Sequence, residues 1–342
     1  MKSIYLVRRG SPDRAFEIRE QDDPAPGQGE VRIRVEASGL NFADVLARLG
    51  VYPEAPPLPF VPGYDVAGQV DRVGPGVDAL REGDRVVAFT RFGGYASHVL
   101  ADSKNAVPLP DGMDAARATA LAAQYCTAWY AAEEAVRLHD GDHVLIHAAA
   151  GGVGTALVQL AKRRGCVVFG TAGSDAKLDL MRQNGVDHPI NYRAADFAAE
   201  VRRLRGGRGL DAVFDSVGGQ TFRKSLPLLE AGGRMVFMGI AQMAGRRPSV
   251  FRALKTLVDF GLHSPVTWLK RSQSLIGVNM LQIADRQPEI LQRCMQGVME
   301  LAGRGEIHPR VGRSFPFDRV AEAHEFLGMR QSTGKVVLLW PE

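Results

Sequence analysis

Hydrophobic and polar positions change rhythm near residue 115 of the chain. Before that point, apolar and polar residues alternate in short runs. Glu30-Val31-Arg32-Ile33-Arg34-Val35-Glu36-Ala37 has the two-residue period of a half-buried strand. PGYDVAGQV, from Pro62 to Val70, and GDRVVAF, from Gly83 to Phe89, are further short strands set off by glycine and proline. Many short strands with turn residues between them predict a small twisted barrel. Residues 115–137 are rich in alanine and predict helix. Strands then fall at 144–146, 167–171, 188–191, 212–215, 234–238 and 274–278, with helices between most of them, as at 176–184 and 195–205. That alternation predicts an α/β unit built on a doubly wound parallel sheet. A helix at 288–302 and a closing strand at 334–339 complete the pattern.

The first strand of the second half carries the most informative turn. Val144-Leu145-Ile146 is apolar, Ala150-Gly151-Gly152-Val153-Gly154 has no bulky polar side chain, and Thr155 to Ala161 reads as a buried helix. A strand that breaks at glycines and restarts as a helix leaves backbone N–H groups pointing out of the helix N-terminus. The helix dipole adds partial positive charge there, so a pyrophosphate is the expected guest. The second strand ends Thr171-Ala172-Gly173-Ser174, without the acid that accepts from a ribose 2′-hydroxyl in NAD-preferring sites. Ser174, Lys177 and Tyr192 offer a hydroxyl, an ammonium and a phenol, which suit a dianionic 2′-phosphate. NADPH is therefore the expected cofactor; Asp175, one residue along, keeps NADH as the runner-up. Ser216-Val217 and Met238-Gly239 lie at carboxyl ends of strands, where open α/β sheets bind ligands.

Composition narrows the classes. The 342 residues suffice for two domains, each with its own core. A net charge of +4 is mild and spread out, and clusters such as Arg202-Arg203-Leu204-Arg205 read as solvated faces, so no nucleic-acid partner is expected. Cys126, Cys166 and Cys294 form no CxxC pair, which fits a reducing compartment. The start, MKSIYLVRRGSPDR, lacks an apolar signal segment, and no stretch approaches the ~18 apolar residues of a membrane span. A cytoplasmic protein without a transmembrane segment is the expectation.

GDHVLIHAAAGGVG with Gln159, together with PGYDVAGQV and EGDRVVAF, resembles the zinc-free quinone oxidoreductases of the medium-chain dehydrogenase/reductase superfamily. GLNFADVLARLG, NGVDHPI and an insertion at 249–270 are most similar to its vesicle amine transport protein-like branch. The resemblance implies a discontinuous GroES-like catalytic domain, 1–123 with 281–342, around a Rossmann domain, 124–280, and a homodimer. It implies that residues in the positions of Ser174, Lys177 and Tyr192 hold the 2′-phosphate, and that Arg330 lies near the cofactor phosphates.

By the same resemblance, the metal positions of zinc-dependent relatives have changed. The first cysteine's place is Asn41, a histidine–glutamate pair has become Tyr64-Asp65, and Ala122-Ala123-Gln124-Tyr125 stands near the third ligand's place. Cys126 is close in sequence, but one cysteine without a histidine builds no such site, and 86–98 has no cysteine for a structural zinc lobe. His147 reads as a satisfied interior histidine. No zinc is expected, which favours hydride delivery to an acceptor that is already electron-poor, a quinone or an α,β-unsaturated carbonyl. GLNFADVLARLGVYP implies Asn41 and Tyr52 as hydrogen-bond donors to the developing oxyanion, with Asp44 ordering the loop; Tyr64 and Thr127 are second-rank candidates, Thr127 also standing among the cofactor contacts. In the insertion, Phe251, Leu254, Leu257, Val258 and Leu262 share a helical face. Packing over the pocket or between subunits, a lid, and an interfacial membrane helix are its three readings. The rival functions are an NADPH-binding protein for lipid or partner association with little turnover, a zinc alcohol dehydrogenase, and an acyl-thioester enoyl reductase.

Overall fold

The computed structural model describes residues 1–243, 259–261 and 264–341. Its contacts form two units, Met1–Cys126 with Met280–Glu342, and Thr127–Asn279.

The first unit opens with the antiparallel pair β1 (Lys2–Leu6) and β2 (Phe16–Glu20), then β3 (Glu30–Leu40), α1 (Phe42–Leu49), β4 (Asp65–Val73), β5 (Arg85–Phe89), β6 (His98–Asp102) and β7 (Ala106–Pro108). β3 departs from the expected alternation: Val31, Arg32 and Ile33 are all buried in succession. The cause is its central place, with β4 along one edge and β6 on Glu30–Arg34 of the other. Arg32 tolerates burial because its Nε and Nη2 each donate to Asp71 at 2.9 Å, a two-pronged pairing that fits guanidinium to carboxylate.

The alanine-rich stretch is helical, as α2 (Ala115–Ala120), a wide turn (Leu121–Tyr125), α3 (Cys126–Trp129) and a second wide turn (Tyr130–Ala135). Ala118, Ala120, Ala122, Ala128 and Ala131 are buried, their small side chains allowing close packing.

The second unit is a parallel sheet of β8 (His143–Ile146), β9 (Val167–Ala172), β10 (His188–Asn191), β11 (Leu210–Asp215), β12 (Leu229–Phe237) and β13 (Ser274–Gly277). Its spatial order is β10-β9-β8-β11-β12-β13. α4 (Gly152–Arg163), α5 (Asp175–Gln183), α6 (Phe197–Leu204) and α7 (Gln220–Ser225) connect the strands, and α8 (Pro265–Arg271) precedes β13. Val144, Leu145 and Ile146 are fully buried, as a strand covered on both faces requires. The chain runs outward in opposite directions from β8 and β11, so a ligand crevice opens beyond their carboxyl ends.

The chain then returns to the first unit with α9 (Met280–Arg286), a helix absent from the sequence expectation, followed by α10 (Pro288–Gly303), β14 (Val311–Pro316), α11 (Val320–Gly328) and β15 (Lys335–Leu339). The sheet reads β14-β15-β3-β4-β5-β7, with β6 also on β3. Ile33, Val35, Val66, Val86, Val336 and Leu338 centre its core. The expected apolar face of Phe251, Leu254, Leu257, Val258 and Leu262 lies outside the described residues. Of that insertion, α8 is described, with Val266 and Leu269 exposed at 54% and 79%.

Candidate active site

In the first unit Asn41 and Asp44 meet a buried charge cluster, and Tyr52 and Tyr64 pack on each other within electrostatic reach of Asp44. Asn41 is the extended residue ahead of α1, and Asp44, in the first turn, accepts from the Asn41 N–H at 2.8 Å through Oδ2. The other oxygen of Asp44 accepts from the Gly63 N–H at 3.1 Å, which ties α1 to the segment entering β4. The side chain of Asn41 faces two charges. Lys335 Nζ donates to Asn41 Oδ1 at 2.9 Å, and Asn41 Nδ2 donates to Asp65 Oδ1. Lys335 and Asp65 form an ion pair with no solvent exposure on either side chain. They reach each other across β3 because Gly39 stands opposite both Asp65 and Val337 in the sheet, and a Cβ at Gly39 would overlap both side chains.

Two carboxylates and one ammonium thus share a dry site. Burial pushes the Asp44 carboxyl up to about 7, opposed by the N–H groups of Asn41 and Gly63 and reinforced by the charge of Asp65. Burial raises Asp65 and lowers Lys335, and their mutual attraction works against both changes. The rings of Tyr52 and Tyr64 meet edge to face, 6.3 Å apart. Burial pushes the half-buried Tyr52 phenol up to about 12 and the buried Tyr64 phenol further, so both are protonated donors at neutral pH. Among the described residues the Tyr64 hydroxyl has no hydrogen-bond partner.

The glycine turn of the second unit fits a pyrophosphate. Ala148 adopts a left-handed φ of 52°, and Gly151 N–H closes the turn onto its carbonyl at 2.8 Å. The first bond of α4 runs from Thr155 N–H to Gly151 O at 2.8 Å, so the N–H groups of Gly152, Val153 and Gly154 precede the helical ladder. A Cβ on Gly154 would overlap the Ala148 carbonyl, which makes glycine the residue that lets helix and turn meet. Ala150 is buried beside them. Past β11, Asp215 Oδ1 accepts from Val217 N–H at 2.7 Å and Gly218 N–H at 3.0 Å, while its Oδ2 is buried without a partner among the described residues. Burial pushes this carboxyl up to about 6 against those two N–H groups. Met238 N–H bonds to Asp215 O at 2.9 Å, and a Cβ on Gly239 would sit 2.8 Å from Ser216 O, so the Ser216-Val217 and Met238-Gly239 loops lie side by side.

At the tip of β9, Thr171 and Ala172 are buried and Gly173 is crossed by Tyr192, whose Oη would lie 2.6 Å from a Cβ there. Arg193 Nε would lie 3.4 Å from the same point. Ser174 stands at the N-terminus of α5 and Lys177 in its first turn. Asp175 Oδ1 accepts from Asn191 Nδ2 at 2.8 Å, at the end of β10 just before Tyr192. His147 is a satisfied interior histidine. Ser225 Oγ donates to Thr221 O at 2.8 Å, so it accepts from His147 Nε2 at 2.8 Å, and His147 Nδ1 then accepts from Thr171 Oγ1 at 3.0 Å. Burial drives this imidazole down to about 3, leaving it neutral. Thr127 lies on α3, and Arg330 is an exposed residue of the first unit with φ 59°, just past α11.

Among the described residues, no group of three or more His, Cys, Asp or Glu is placed to hold a metal ion. Residues 27–111 match the alcohol dehydrogenase GroES-like domain, and residues 152–292 the zinc-binding dehydrogenase family. The chain is 34% identical to the synaptic vesicle membrane protein VAT-1 homolog of Rattus norvegicus, over 99% of this chain and 84% of the relative. This chain belongs to the medium-chain dehydrogenase/reductase superfamily. Within the superfamily it is 32% identical to the quinone oxidoreductase of Rattus norvegicus, covering 99% of this chain and 98% of the relative. The structure of Escherichia coli quinone oxidoreductase complexed with NADPH superposes with a TM-score of 0.87 at 29% identity, over 99% of this chain and 100% of that one. The CurK enoyl reductase gives 0.86 at 27% identity, over 99% of both chains. The first unit carries the GroES-like domain of the superfamily and the second its Rossmann-type nucleotide-binding domain. No described helix is long and apolar enough to cross a membrane.

Sequence reasoning missed Lys335 and Arg193, and it noted Asp65 only beside Tyr64. For Lys335 the signal was a lone charge opening an otherwise apolar strand, Lys335-Val336-Val337-Leu338-Leu339. Asp65 gave no signal apart from its neighbour.

Proposed function

We propose that this medium-chain oxidoreductase uses NADPH to reduce quinones or α,β-unsaturated carbonyls without zinc. The observation that carries the reading is the environment of Asn41. Its amide oxygen is taken by the Lys335 ammonium, where a second cation would be repelled, and the protonated Tyr52 and Tyr64 pack on each other within electrostatic reach of Asp44, which holds the Asn41 N–H. Such a site donates hydrogen bonds to an oxygen that gains negative charge, and needs an acceptor that is already electron-poor.

When bound, NADPH supplies a hydride. The N–H groups of Gly152, Val153 and Gly154 bind the pyrophosphate, and Ser174, Lys177 and Tyr192 bind the 2′-phosphate. Ala150, Gly151, Thr171, Ala172, Gly173, Ser216, Val217, Met238 and Gly239 line the nucleotide, with Thr127 as a further contact. Asn41 and Tyr52 donate to the acceptor oxygen, Asp44 orders the loop, and Tyr64 supports Tyr52. Water supplies the proton that completes the two-electron reduction. A cytoplasmic homodimer is part of the same reading.

The test is loss of NADPH absorbance on 1,4-naphthoquinone and a panel of small enones, using protein dialysed against EDTA. Turnover that survives chelation supports the proposal; NADPH binding without turnover on every acceptor, or activity that needs one zinc per chain, contradicts it. A second reading, nucleotide-regulated association with a membrane surface, rests on Val266 and Leu269 exposed on α8 and on the vesicle-membrane name of a relative. Flotation with anionic vesicles, lost in a Val266→Ser/Leu269→Ser variant, would favour it.

A further inference from the structure

A lysine ammonium with no solvent exposure is an unusual occupant of a sheet interior. Burying it is costly, and a structural ion pair in such a place can often be exchanged for apolar residues without loss. The Lys335–Asp65 pair does more than neutralise itself, because Asn41 bridges it. Asn41 Oδ1 accepts from Lys335 at 2.9 Å, and Nδ2 donates to Asp65. Flipping the amide would set its NH2 against the ammonium and its oxygen against the carboxylate, two repulsions with fully buried charges. Only one orientation survives. The cation on the carbonyl oxygen also draws electron density from the amide nitrogen, which makes its N–H a stronger donor. One hydrogen of Nδ2 goes to Asp65; the other is left.

We propose that Lys335 is a positioning residue for the reduction: clamped by Asp65 over Gly39, it fixes and polarises the Asn41 amide so that the second N–H is presented to the acceptor oxygen. The inference rests on the reductase reading above. Lys335 touches neither substrate nor cofactor in this account, and acts through Asn41. Gly39 belongs to the device, since any side chain there would displace the pair.

A single Lys335→Met change strands the Asp65 carboxylate in a dry site and endangers the fold, so the informative variant is Lys335→Met with Asp65→Asn, which removes both charges. Its melting temperature and its NADPH dissociation constant are expected to stay near wild type. Its kcat on 1,4-naphthoquinone is expected to fall about tenfold, less than the loss of a whole oxyanion donor, with KM for NADPH unchanged. A purely structural pair predicts the reverse: once both charges are gone, kcat recovers together with stability. Asn41→Ala leaves the ion pair intact and provides a second test independent of the double variant's folding. It removes the group through which Lys335 acts, and kcat is expected to fall by about 100-fold or more, on the order of a lost donor. Wild-type kcat in the folded double variant, or in Asn41→Ala, overturns the role of Lys335. A wild-type chain that reduces no acceptor overturns the reductase reading first, and this proposal with it.

Discussion

The Asn191 side chain donates to the Asp175 carboxylate at 2.8 Å, and by doing so turns the acid of the first turn of α5 toward β10. The adjacent Gly173 is left under the Tyr192 hydroxyl and the Arg193 guanidinium, with Lys177 one turn along. On the proposed reading these donors take a ribose 2′-phosphate, while one oxygen of the carboxylate that would favour NADH is engaged by Asn191. Lys177→Ala is expected to weaken NADPH by ~10- to 100-fold, the worth of one charge-assisted hydrogen bond, and to leave NADH nearly unchanged. Dissociation constants for both nucleotides from protein fluorescence quenching check this; equal losses for the two would refute it.

Asn191→Leu should act in the opposite sense. Freed from its amide partner, Asp175 can turn to a ribose hydroxyl, so the NADPH-to-NADH affinity ratio is expected to fall by roughly tenfold. The same titrations read it.

Gly154→Ala places a methyl group into the Ala148 carbonyl and within 2.7 Å of Ala149 Cα. Backbone atoms on both sides cannot yield as a side-chain tip does, so the turn must open. NADPH affinity is expected to drop at least ~10-fold, with destabilisation of about 1–3 kcal/mol in urea unfolding. Unchanged binding would show that the turn does not cradle the nucleotide.

Asp215 sets a pH dependence. Its folded carboxyl titrates at about 6, above an unfolded value of ~3.9. Between those values the folded state holds a proton that the unfolded chain has released, so this group's stabilising contribution is present at low pH and is lost as pH rises through 6. Asp215→Asn cannot titrate. Relative to wild type, its stability should therefore rise by roughly 2–3 kcal/mol between pH 4 and pH 7. Comparing the two proteins cancels the opposite effect of His147, whose depressed value of about 3 costs stability as pH falls below ~6.5. A pH-independent difference would contradict the assignment.

Much of the second unit was legible because short apolar runs alternate with helical stretches there: Val144-Leu145-Ile146 followed by the glycine turn is the plainest case. β3 was legible as a strand, but its alternation misled. The second edge that buries Arg32 comes from β6, some 65 residues downstream, and local pattern holds no trace of that pairing. α9 escaped because Met280–Arg286 is a short run without a long apolar stripe, and Asn279 ahead of it reads equally well as a turn residue or a cap. The residues at the glycine turn were visible as types with a fixed spacing. Lys335 was not, since its meaning depends on Asp65 and Asn41, which approach it only through the register of β15, β3 and β4.

The claim that a nicotinamide nucleotide reduces an electron-poor acceptor here is tested most directly by isotope transfer. EDTA-dialysed protein would be given NADPH carrying deuterium at the transferable C4 position, together with a small enone, and the product examined by mass spectrometry. One deuterium at the β-carbon of the saturated product is the predicted result; an unreduced enone, or a reduced product without deuterium, would contradict it.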